Sequence, residues 1–568
     1  MNLSLKSFLT SAAVVAVLAA STVQAQTNFY WNGGNPSASP AGGGTGTWNT
    51  IDAWRTVTDT GTQGTWAAGT GGTNVGFLAG TSGTVTLGSG ANFTGTSLTV
   101  ETAGYTVRST NGSRNLVMTG ALTLGSNVAF TANLDNTGGT WGFGSMTGGA
   151  GSSLTLSGAA NATANNANRI NLTTASGTSN IPSITLSGGA AGPTGFVASA
   201  SGHTLSSNIV NNSATSATML GATSGHSLTY SGVLSGSAHL QISAGQSGGD
   251  GIVTLSNVNT FLGDTYTNAA TNAVLRIGIN NALPSTTNVF MGQSAGGGTA
   301  GTGGSIDLNG FNLSVASVTA GSSTRGIGNN TSTLSTLTIG KASGTDTFGG
   351  VIGTVANTNM TTQSNFIALV KTGASSQILD GTNTYTGPTT ISDGTLALGA
   401  SGSLASPLIS VASSASFDVT AKTGFSLGLG QRLGGLGTIL GSLEFGTGSE
   451  LAFNPSGAML IGSGTLSFAS GFSPSNLFGL SSSTPEATYP LFSQAGGSIN
   501  VAGLANFGSG NPFDLTSGKT AYFTGDSNSL SVVVVPEPST LGLAGVGVAL
   551  AGLGAWKRRR TAAAVLAG

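Results

Sequence analysis

The side chains that most often perform catalysis or hold metal ions are sparse in this sequence. The 568-residue chain has no cysteine and only three histidines, His203, His226 and His239. No pair of these histidines has the short helical spacing of a zinc site, and the lack of cysteine excludes thiolate nucleophiles and disulfides. We therefore predict no metal site and no cofactor.

Serine and carboxylate chemistry has equally weak support. Residues 245–249 and 292–296 read Gly-x-Ser-x-Gly, the pattern of a nucleophile elbow, but a chain with 94 glycines produces this pattern by chance. Several aspartates stand beside glycine or threonine, as turn-forming residues do: Asp307, Asp346, Asp380, Asp393 and Asp418. We predict no catalytic residue and a protein that is not an enzyme. The alternative is a polysaccharide-active enzyme on a β-helix scaffold, because paired acids could still meet across turns.

The composition is typical of an extended β-structure. Only 6% of residues are charged, the net charge is −1 and the mean hydropathy is +0.21. Disordered chains combine low hydrophobicity with high net charge, and collagen requires a strict glycine period, so neither class fits. Nucleic-acid binding is also disfavoured, because no basic patch occurs outside the C-terminal tail. Short alternating runs between turn residues predict an all-β fold.

Two stretches repeat the same motifs in the same order. Residues 230–234, 253–255, 259–263 and 274–278 read YSGVL, VTL, NTFLG and VLRIG, whereas residues 348–352, 377–379, 383–387 and 394–399 read FGGVI, QIL, NTYTG and GTLALG. Asn259 and Asn383 occupy matching places, either stacked at equivalent turns or as ordinary turn residues. The segment from Leu369 to Gly399 resembles the autotransporter-associated β-strand repeat of bacterial passenger domains.

This resemblance and the repeats predict a passenger-like parallel β-solenoid, or β-helix, over residues 26–421, with turns of about 20–30 residues. A C-terminal β region follows at 422–535, either as a cap or as a small β-sandwich. Near the start lie Trp31, Trp48, Trp54 and Trp66. We favour a hydrophobic cap over a carbohydrate-stacking face for them, since terminal repeats require capping. The threonines show no steady spacing, which argues against an ice-binding ladder.

The N-terminus carries an export signal. Lys6 precedes an apolar run that extends to Ala20, and Val23-Gln24-Ala25 has the small residues of a signal-peptidase site. We predict a signal peptide over residues 1–25 that signal peptidase cleaves between Ala25 and Gln26.

The C-terminal tail has three consecutive parts. Pro536, Glu537 and Pro538 come first, and their prolines predict a segment that is accessible and free of regular pairing. An apolar stretch from Leu541 to Trp556 then predicts a transmembrane helix. The basic residues after it should stay cytoplasmic: Lys557, Arg558, Arg559 and Arg560.

This tail, residues 536–560, resembles the PEP-CTERM sorting signal of Gram-negative bacteria, and residues 561–568 follow as a short extension. The resemblance implies processing by an exosortase-type enzyme and a link to exopolysaccharide, biofilm or floc. We therefore predict an exported structural or adhesive protein of the cell surface or extracellular matrix. The C-terminal helix should anchor it in the membrane until processing.

Overall fold

The computed structural model describes residues 27–32, 43–48, 54–55, 63–64, 66, 73–88, 92–109, 115–134, 141–158, 168–187, 193–243, 251–267, 273–295, 303–322 and 324–537. The predicted cleavage site at Ala25 and Gln26 lies outside them, and so do Pro538 and the anchor residues Leu541, Trp556, Lys557, Arg558, Arg559 and Arg560. No helix within the described ranges has the length and apolar character needed to span a bilayer.

The described chain is built from short strands, with one 3-10 helix at Pro474–Asn476, and the predicted all-β parallel solenoid is confirmed. Buried and more exposed residues alternate in strands such as Thr84–Leu87 and Ser97–Val100, because successive side chains of a strand point to opposite sides. Each solenoid turn places its strands on up to three parallel sheets, which we call the first, second and third faces.

The first face runs along the whole described chain and receives a strand from every turn. Two short strands, Trp54–Arg55 and Gln63–Gly64, extend it in antiparallel fashion at its start. Its parallel strands are Thr27–Trp31, Asn74–Leu78, Phe93–Gly95, Ser97–Val100, Leu116–Leu124, Trp141–Gly148, Asn168–Leu172, Thr194–Ala198, Thr218–Ala222, Leu240–Ile242, Thr265–Thr267, Asn288–Met291, Ser317–Ala320, Thr345–Phe348, Ser376–Leu379, Gly394–Leu398, Ala415–Asp418, Thr438–Leu440, Met459–Ile461 and Ala487–Gln494.

The other two faces are assembled from shorter sheets. The second face contains Thr178–Ser179, His203–Leu205, Ser227–Tyr230, Ile252–Leu255, Val274–Ile277, Ser305–Asp307, Gly326–Gly328, Val351–Ile352, Thr382–Asn383, Ser403–Leu404, Phe425–Leu427, Leu443–Phe445, Thr465–Phe468 and Ser498–Ile499. The third face contains Gly46–Thr47, Thr84–Leu87, Tyr105–Ser109, Ala129–Leu134, Ser153–Gly158, Ser183–Ser187, Asn208–Asn211, Leu234–Ser235, Leu313–Val315, Ser335–Gly340, Ile367–Thr372, Thr389–Ile391, Leu408–Val411, Arg432–Gly435, Glu450–Ala452 and Leu477–Phe478.

Most turns have about the predicted length. Backbone hydrogen bonds between neighbouring turns span as few as 17 residues, from Phe425 N to Ser442 O, and as many as 38 residues near the N-terminus, from Trp48 N to Thr86 O. The inward side chains form one apolar cluster that continues from Trp31 to Val534. Each turn therefore buries its apolar side only by stacking on its neighbours.

The tryptophans close the N-terminal end of this core. Trp31, Trp48, Trp54 and Trp66 are at most 1% exposed. The Trp48 ring lies 4.7 Å from that of Trp54 and 5.2 Å from that of Trp66, centroid to centroid. The predicted hydrophobic cap is confirmed, because buried indole faces are not available for stacking on a carbohydrate.

Parallel pairing continues beyond residue 421 into the C-terminal β region. Leu408–Val411 pairs with Arg432–Gly435, and the second face continues to Ser498–Ile499. The chain then changes to antiparallel pairing, in which Ser529–Pro536 lies between Ala487–Gln494 and Lys519–Gly525, with Phe513–Asp514 at the outer edge. We call these four strands the cap sheet. Residues after 422 therefore first continue the parallel solenoid and then form the antiparallel cap sheet.

Threonines that are irregularly spaced along the chain are aligned in space. On the third face, outward positions in five consecutive turns pair in register: Thr84, Thr106, Thr131, Thr155 and Thr185. The expectation that the threonines lack a steady register is therefore wrong for this face. Turns of unequal length absorb the irregular spacing while the strands keep their alignment. We call this set the threonine ladder.

The two repeat asparagines each link three turns. Asn259 Oδ1 accepts the Leu234 N–H at 2.8 Å, and its Nδ2 donates to Ala282 O at 2.8 Å. Asn383 Oδ1 likewise accepts the Ile352 N–H at 2.9 Å, and its Nδ2 donates to Ser403 O at 3.1 Å. Both side chains are buried. They make the same pattern of bonds on different faces, because Asn259 lies beside Leu234 of the third face and Asn383 lies in Thr382–Asn383 of the second face. The prediction that they stack at equivalent turns is therefore wrong, but neither is an ordinary turn residue.

We predict that Asn383→Ala lowers the free energy of unfolding by about 2–4 kcal/mol, because it leaves the buried Ile352 N–H and Ser403 carbonyl without their partner. Urea unfolding followed by circular dichroism measures this change. The control is Asn500→Ala, since exposed Asn500 accepts only the local Ala502 N–H. Equal destabilisation by the two substitutions would contradict the role of Asn383 as an inter-turn link.

Candidate sorting junction

The strand that precedes the Pro-Glu-Pro segment is a central strand of the cap sheet. Leu530, Val532 and Val534 in Ser529–Pro536 are buried, and the intervening residues are partly exposed. Val532 pairs with Tyr489 on one side and with Phe523 on the other. β-Branched residues favour the extended backbone, and the inward valines complete the end of the solenoid core.

The first two residues of the predicted sorting motif lie where this strand ends. Pro536 and Glu537 are exposed, as predicted. The expectation that prolines exclude regular pairing is wrong for Pro536, which is the last residue of the strand and pairs with Lys519. Proline is tolerated at the end of a strand although it has no N–H to donate. The following residue, Glu537, donates its backbone N–H to Gly518 O at 2.8 Å.

The turn opposite the motif has an unusual backbone. Thr516, Ser517 and Gly518 have φ angles of 68°, 53° and 81°. The left-handed region is unfavourable for a β-branched residue, so Thr516 is strained. Asp514 Oδ1 compensates by accepting the Thr516 N–H at 2.6 Å. The motif is therefore tied to a turn that is itself under backbone strain.

A side chain anchors this turn to the rest of the cap. Lys519 Nζ donates to Thr484 O at 2.8 Å, and the Lys519 carbonyl accepts the Leu515 N–H at 2.9 Å. An enzyme that binds the motif would thus meet an exposed segment directly against the folded body. To bind the residues after Pro536, such an enzyme would first have to break the hydrogen bond between the Glu537 N–H and Gly518 O.

The three histidines lie in separate surroundings. His226 Nδ1 lies 3.1 Å from Ser201 Oγ, and His239 Nδ1 accepts the Asp264 N–H at 2.8 Å. His203 is fully buried. Within the described ranges, no three histidine or carboxylate side chains lie close enough together to hold a metal ion.

Burial favours the neutral form of His203. Its Nδ1 donates to Thr174 O at 3.1 Å, since a carbonyl can only accept. In the neutral ring, Nε2 then accepts from Ser179 Oγ at 2.9 Å, while that hydroxyl accepts the Met146 N–H. Burial lowers the pKa of His203, and the Thr174 carbonyl opposes this effect.

The aspartates divide into two groups. Asp393 and Asp418 accept nearby backbone N–H groups, as predicted for turn residues. Asp307 is instead fully buried, with Arg276 Nε at 2.8 Å and the N–H groups of Asn309 and Asn330 at 2.9 and 3.0 Å. The turn prediction is therefore incomplete for Asp307, which joins successive turns.

The two remaining aspartates make different contacts. Asp346 forms an ion pair with nearby Lys341 at 2.5 Å, whereas Asp380 Oδ1 accepts the Ser401 N–H from the following turn at 3.0 Å. Of the two Gly-x-Ser-x-Gly segments, residues 245–249 lie outside the described residues. In the other segment, Ser294 is buried.

Sequence reasoning missed one buried cation in the second repeat. Lys371 is fully buried, and its Nζ donates to Thr372 O and Gly373 O, both at 2.7 Å. The Asp393 carbonyl lies 3.4 Å from the same nitrogen. Burial lowers the pKa of Lys371, and Asp393 opposes this shift. The sequence signal that could have indicated this site is the Lys-Thr-Gly triplet at residues 371–373, whose own carbonyl groups bind the lysine.

Comparison with known families matches two parts of the chain. Residues 369–398 match the passenger-associated-transport-repeat, and residues 534–560 match the PEP-CTERM protein-sorting motif. No curated protein and no solved structure gives a significant match. Both resemblances seen in the sequence are thereby confirmed. The sorting match begins at Val534, inside the last strand of the cap sheet.

We predict that His203 makes the fold sensitive to acid. Because its pKa is lower in the folded state, stability is fully present above the unfolded value of 6.5. It falls with pH below that value, by at most about 1.4 kcal/mol per pH unit, until the folded pKa is reached. Thermal unfolding between pH 8 and 5 measures this loss. His203→Gln should flatten the profile, whereas His226→Gln should leave it unchanged; identical profiles would contradict the assignment.

We further predict that Val532→Ala destabilises the cap sheet by about 2–3 kcal/mol, because it leaves a cavity in the core. Neighbouring Val533 points outward and provides the matched control, with an expected cost below about 1 kcal/mol for Val533→Ala. Thermal unfolding combined with the rate of protease cleavage in the cap distinguishes the variants. Similar effects at both positions would show that the strand does not close the core as described.

Proposed function

We propose that this exported surface protein, which carries the tail of an exosortase substrate, is a structural or adhesive component of the cell surface or extracellular matrix. Its C-terminal helix anchors it in the membrane until the sorting enzyme processes the tail. Its body then presents an uncharged surface to exopolysaccharide or to neighbouring cells in a biofilm or floc. In this proposal it acts by binding and not by catalysis.

The threonine ladder is the observation that supports the binding role most directly. Its five hydroxyl-bearing side chains are half-buried or exposed, and strands in a sheet are spaced about 4.8 Å apart. Hydroxyls flank it on two neighbouring turns, where Ser153 pairs with Ser183 and Ser157 with Ser187. Such a row offers both donors and acceptors to a neutral, hydroxylated polymer.

Charge also favours this type of ligand. Charged residues make up only 6% of the chain and the net charge is −1. Binding to a charged polymer would depend on concentrated opposite charge. An uncharged hydroxyl surface instead suits polysaccharide recognition through many individually weak hydrogen bonds.

The second face offers a comparable row that is one threonine shorter. Thr178, Thr204, Thr229 and Thr254 pair in register there. Farther along this face, however, Val355 and Met360 from another part of the chain pack against Val274, with Ile252 beside them. The chain thus covers part of the second face itself, and we place the binding surface on the third face.

We predict that the double variant Thr106→Lys/Thr155→Lys reduces binding to exopolysaccharide from the producing cells at least fivefold, because two long charged side chains interrupt the hydroxyl row. Co-sedimentation of purified protein with the polysaccharide measures this loss. The matched control is Thr204→Lys/Thr254→Lys, with the same residue types two turns apart on the second face. It should bind within about twofold of the unaltered protein.

Two results would count against the proposal. Equal binding by both double variants and the unaltered protein would remove the threonine ladder as the binding surface. Release of new reducing ends from the polysaccharide during the same incubation would establish catalysis and overturn the non-enzymatic role.

A further inference from the structure

The sorting motif and the folded body share residues. The sorting match begins at Val534, and the strand Ser529–Pro536 ends two residues later. Val534 is buried in the core and pairs with both Ala487 and Ala521. The start of the motif is therefore part of the cap sheet and not a free linker.

The contacts beyond Val534 become progressively weaker toward the tail. Val535 pairs with Thr520, and Pro536 pairs with Lys519 but has no N–H to donate. The hydrogen bond from Glu537 N–H to Gly518 O is the last contact that the structure describes between the body and the motif. Protein-processing enzymes bind extended segments, so this contact competes with enzyme binding.

The partner of Glu537 is the strained turn. Gly518 is the third of three consecutive residues with positive φ, after Thr516 and Ser517. A threonine in the left-handed region weakens the turn, whereas Asp514 and Lys519 hold it in place through their side-chain hydrogen bonds. Because the backbone strain and the two side-chain hydrogen bonds oppose each other, the turn keeps its contact with Glu537 in the native fold but releases it at a low free-energy cost.

We propose that the turn formed by residues 514–519, which we call the tether turn, regulates processing of the tail. While the turn holds Glu537, the motif stays on the cap sheet; when the end frays, the motif becomes available to the sorting enzyme. The rate of processing is then set by the stability of the tether turn as well as by the motif. This inference rests on the proposed function, in which the tail is processed.

Two glycines of the cap region provide a matched pair for the test. Gly518 and Gly508 both have a φ of 81°, and a Cβ added to either would meet no heavy atom within 4 Å. Replacement by alanine therefore imposes the same type of backbone strain at both positions without a steric clash. Only Gly518 accepts the Glu537 N–H; the N–H of Gly508 donates to Phe523 O.

The experiment follows the full-length protein by pulse–chase labelling and immunoblotting in producing cells that contain the sorting enzyme. We expect Gly518→Ala to be processed about three- to tenfold faster than the unaltered chain, because a 1.4 kcal/mol penalty on the closed turn changes its equilibrium tenfold. Gly508→Ala should be processed within about twofold of the unaltered rate.

A second substitution changes the rate in the opposite direction. Thr516→Asn replaces a β-branched residue with one that tolerates the left-handed region, so it stabilises the closed turn. We expect processing to slow about two- to fivefold. This slowing cannot result from unfolding or degradation, and the inference stays testable even if Gly518→Ala disrupts the cap.

Hydrogen exchange at the Glu537 amide of the purified proteins checks that the turn responds, with faster exchange expected in Gly518→Ala and slower exchange in Thr516→Asn. Altered exchange without altered processing rates would overturn the regulatory role of the tether turn. If the unaltered chain itself keeps residues 538–568 in the presence of the sorting enzyme, the proposed processing of the tail fails instead. The two failures are therefore distinguishable.

Discussion

Backbone hydrogen bonding between successive turns is the interaction on which this structure depends. The chain has no cysteine and few charges, and its described part is built around a narrow apolar core, so each turn is stable only when it lies on its neighbours. Polar groups that enter the core must find partners across the same stack. Asn259, Asn383, Asp307 and Lys371 do so by binding backbone groups of adjacent turns or corners.

A stack of this kind has two ends, and both must be covered to protect the core and the open strand edges. Packed indoles close the N-terminal end, whereas an antiparallel sheet closes the other. The antiparallel sheet at the C-terminal end includes the last residues before the tail. The strand that completes the core is consequently continuous with the sorting motif, and folding of the body and exposure of the tail are linked through Val534, Pro536 and Glu537.

The same stacking rule shapes the outer surface. Parallel strands in register place equivalent side chains in rows, and repulsion between like charges disfavours charged rows. Threonine suits these positions because its β-branched side chain fits a strand while its hydroxyl stays available. An uncharged, hydroxyl-rich exterior therefore follows from the architecture and is also the property that the proposed binding role requires.

Local sequence patterns by themselves determined the fold class, the repeat at Asn259 and Asn383, the tryptophan cap and the two resemblances. These features depend on alternation, turn residues and short motifs, which neighbouring residues along the chain define. The boundary at residue 421 was less informative, because composition changes there while the pairing of strands does not.

Only the tertiary structure decided which distant residues share a row or a contact. The threonine ladder is hidden in the sequence because turns of unequal length separate its members. Residues from different turns or strands are likewise joined by the contacts of buried Asp307, by the contact of Lys371 Nζ with the Asp393 carbonyl, and by the hydrogen bond from Glu537 to Gly518. The register in which strands of successive turns pair determines these contacts. That register depends on where each turn begins and ends and not on residue identity alone.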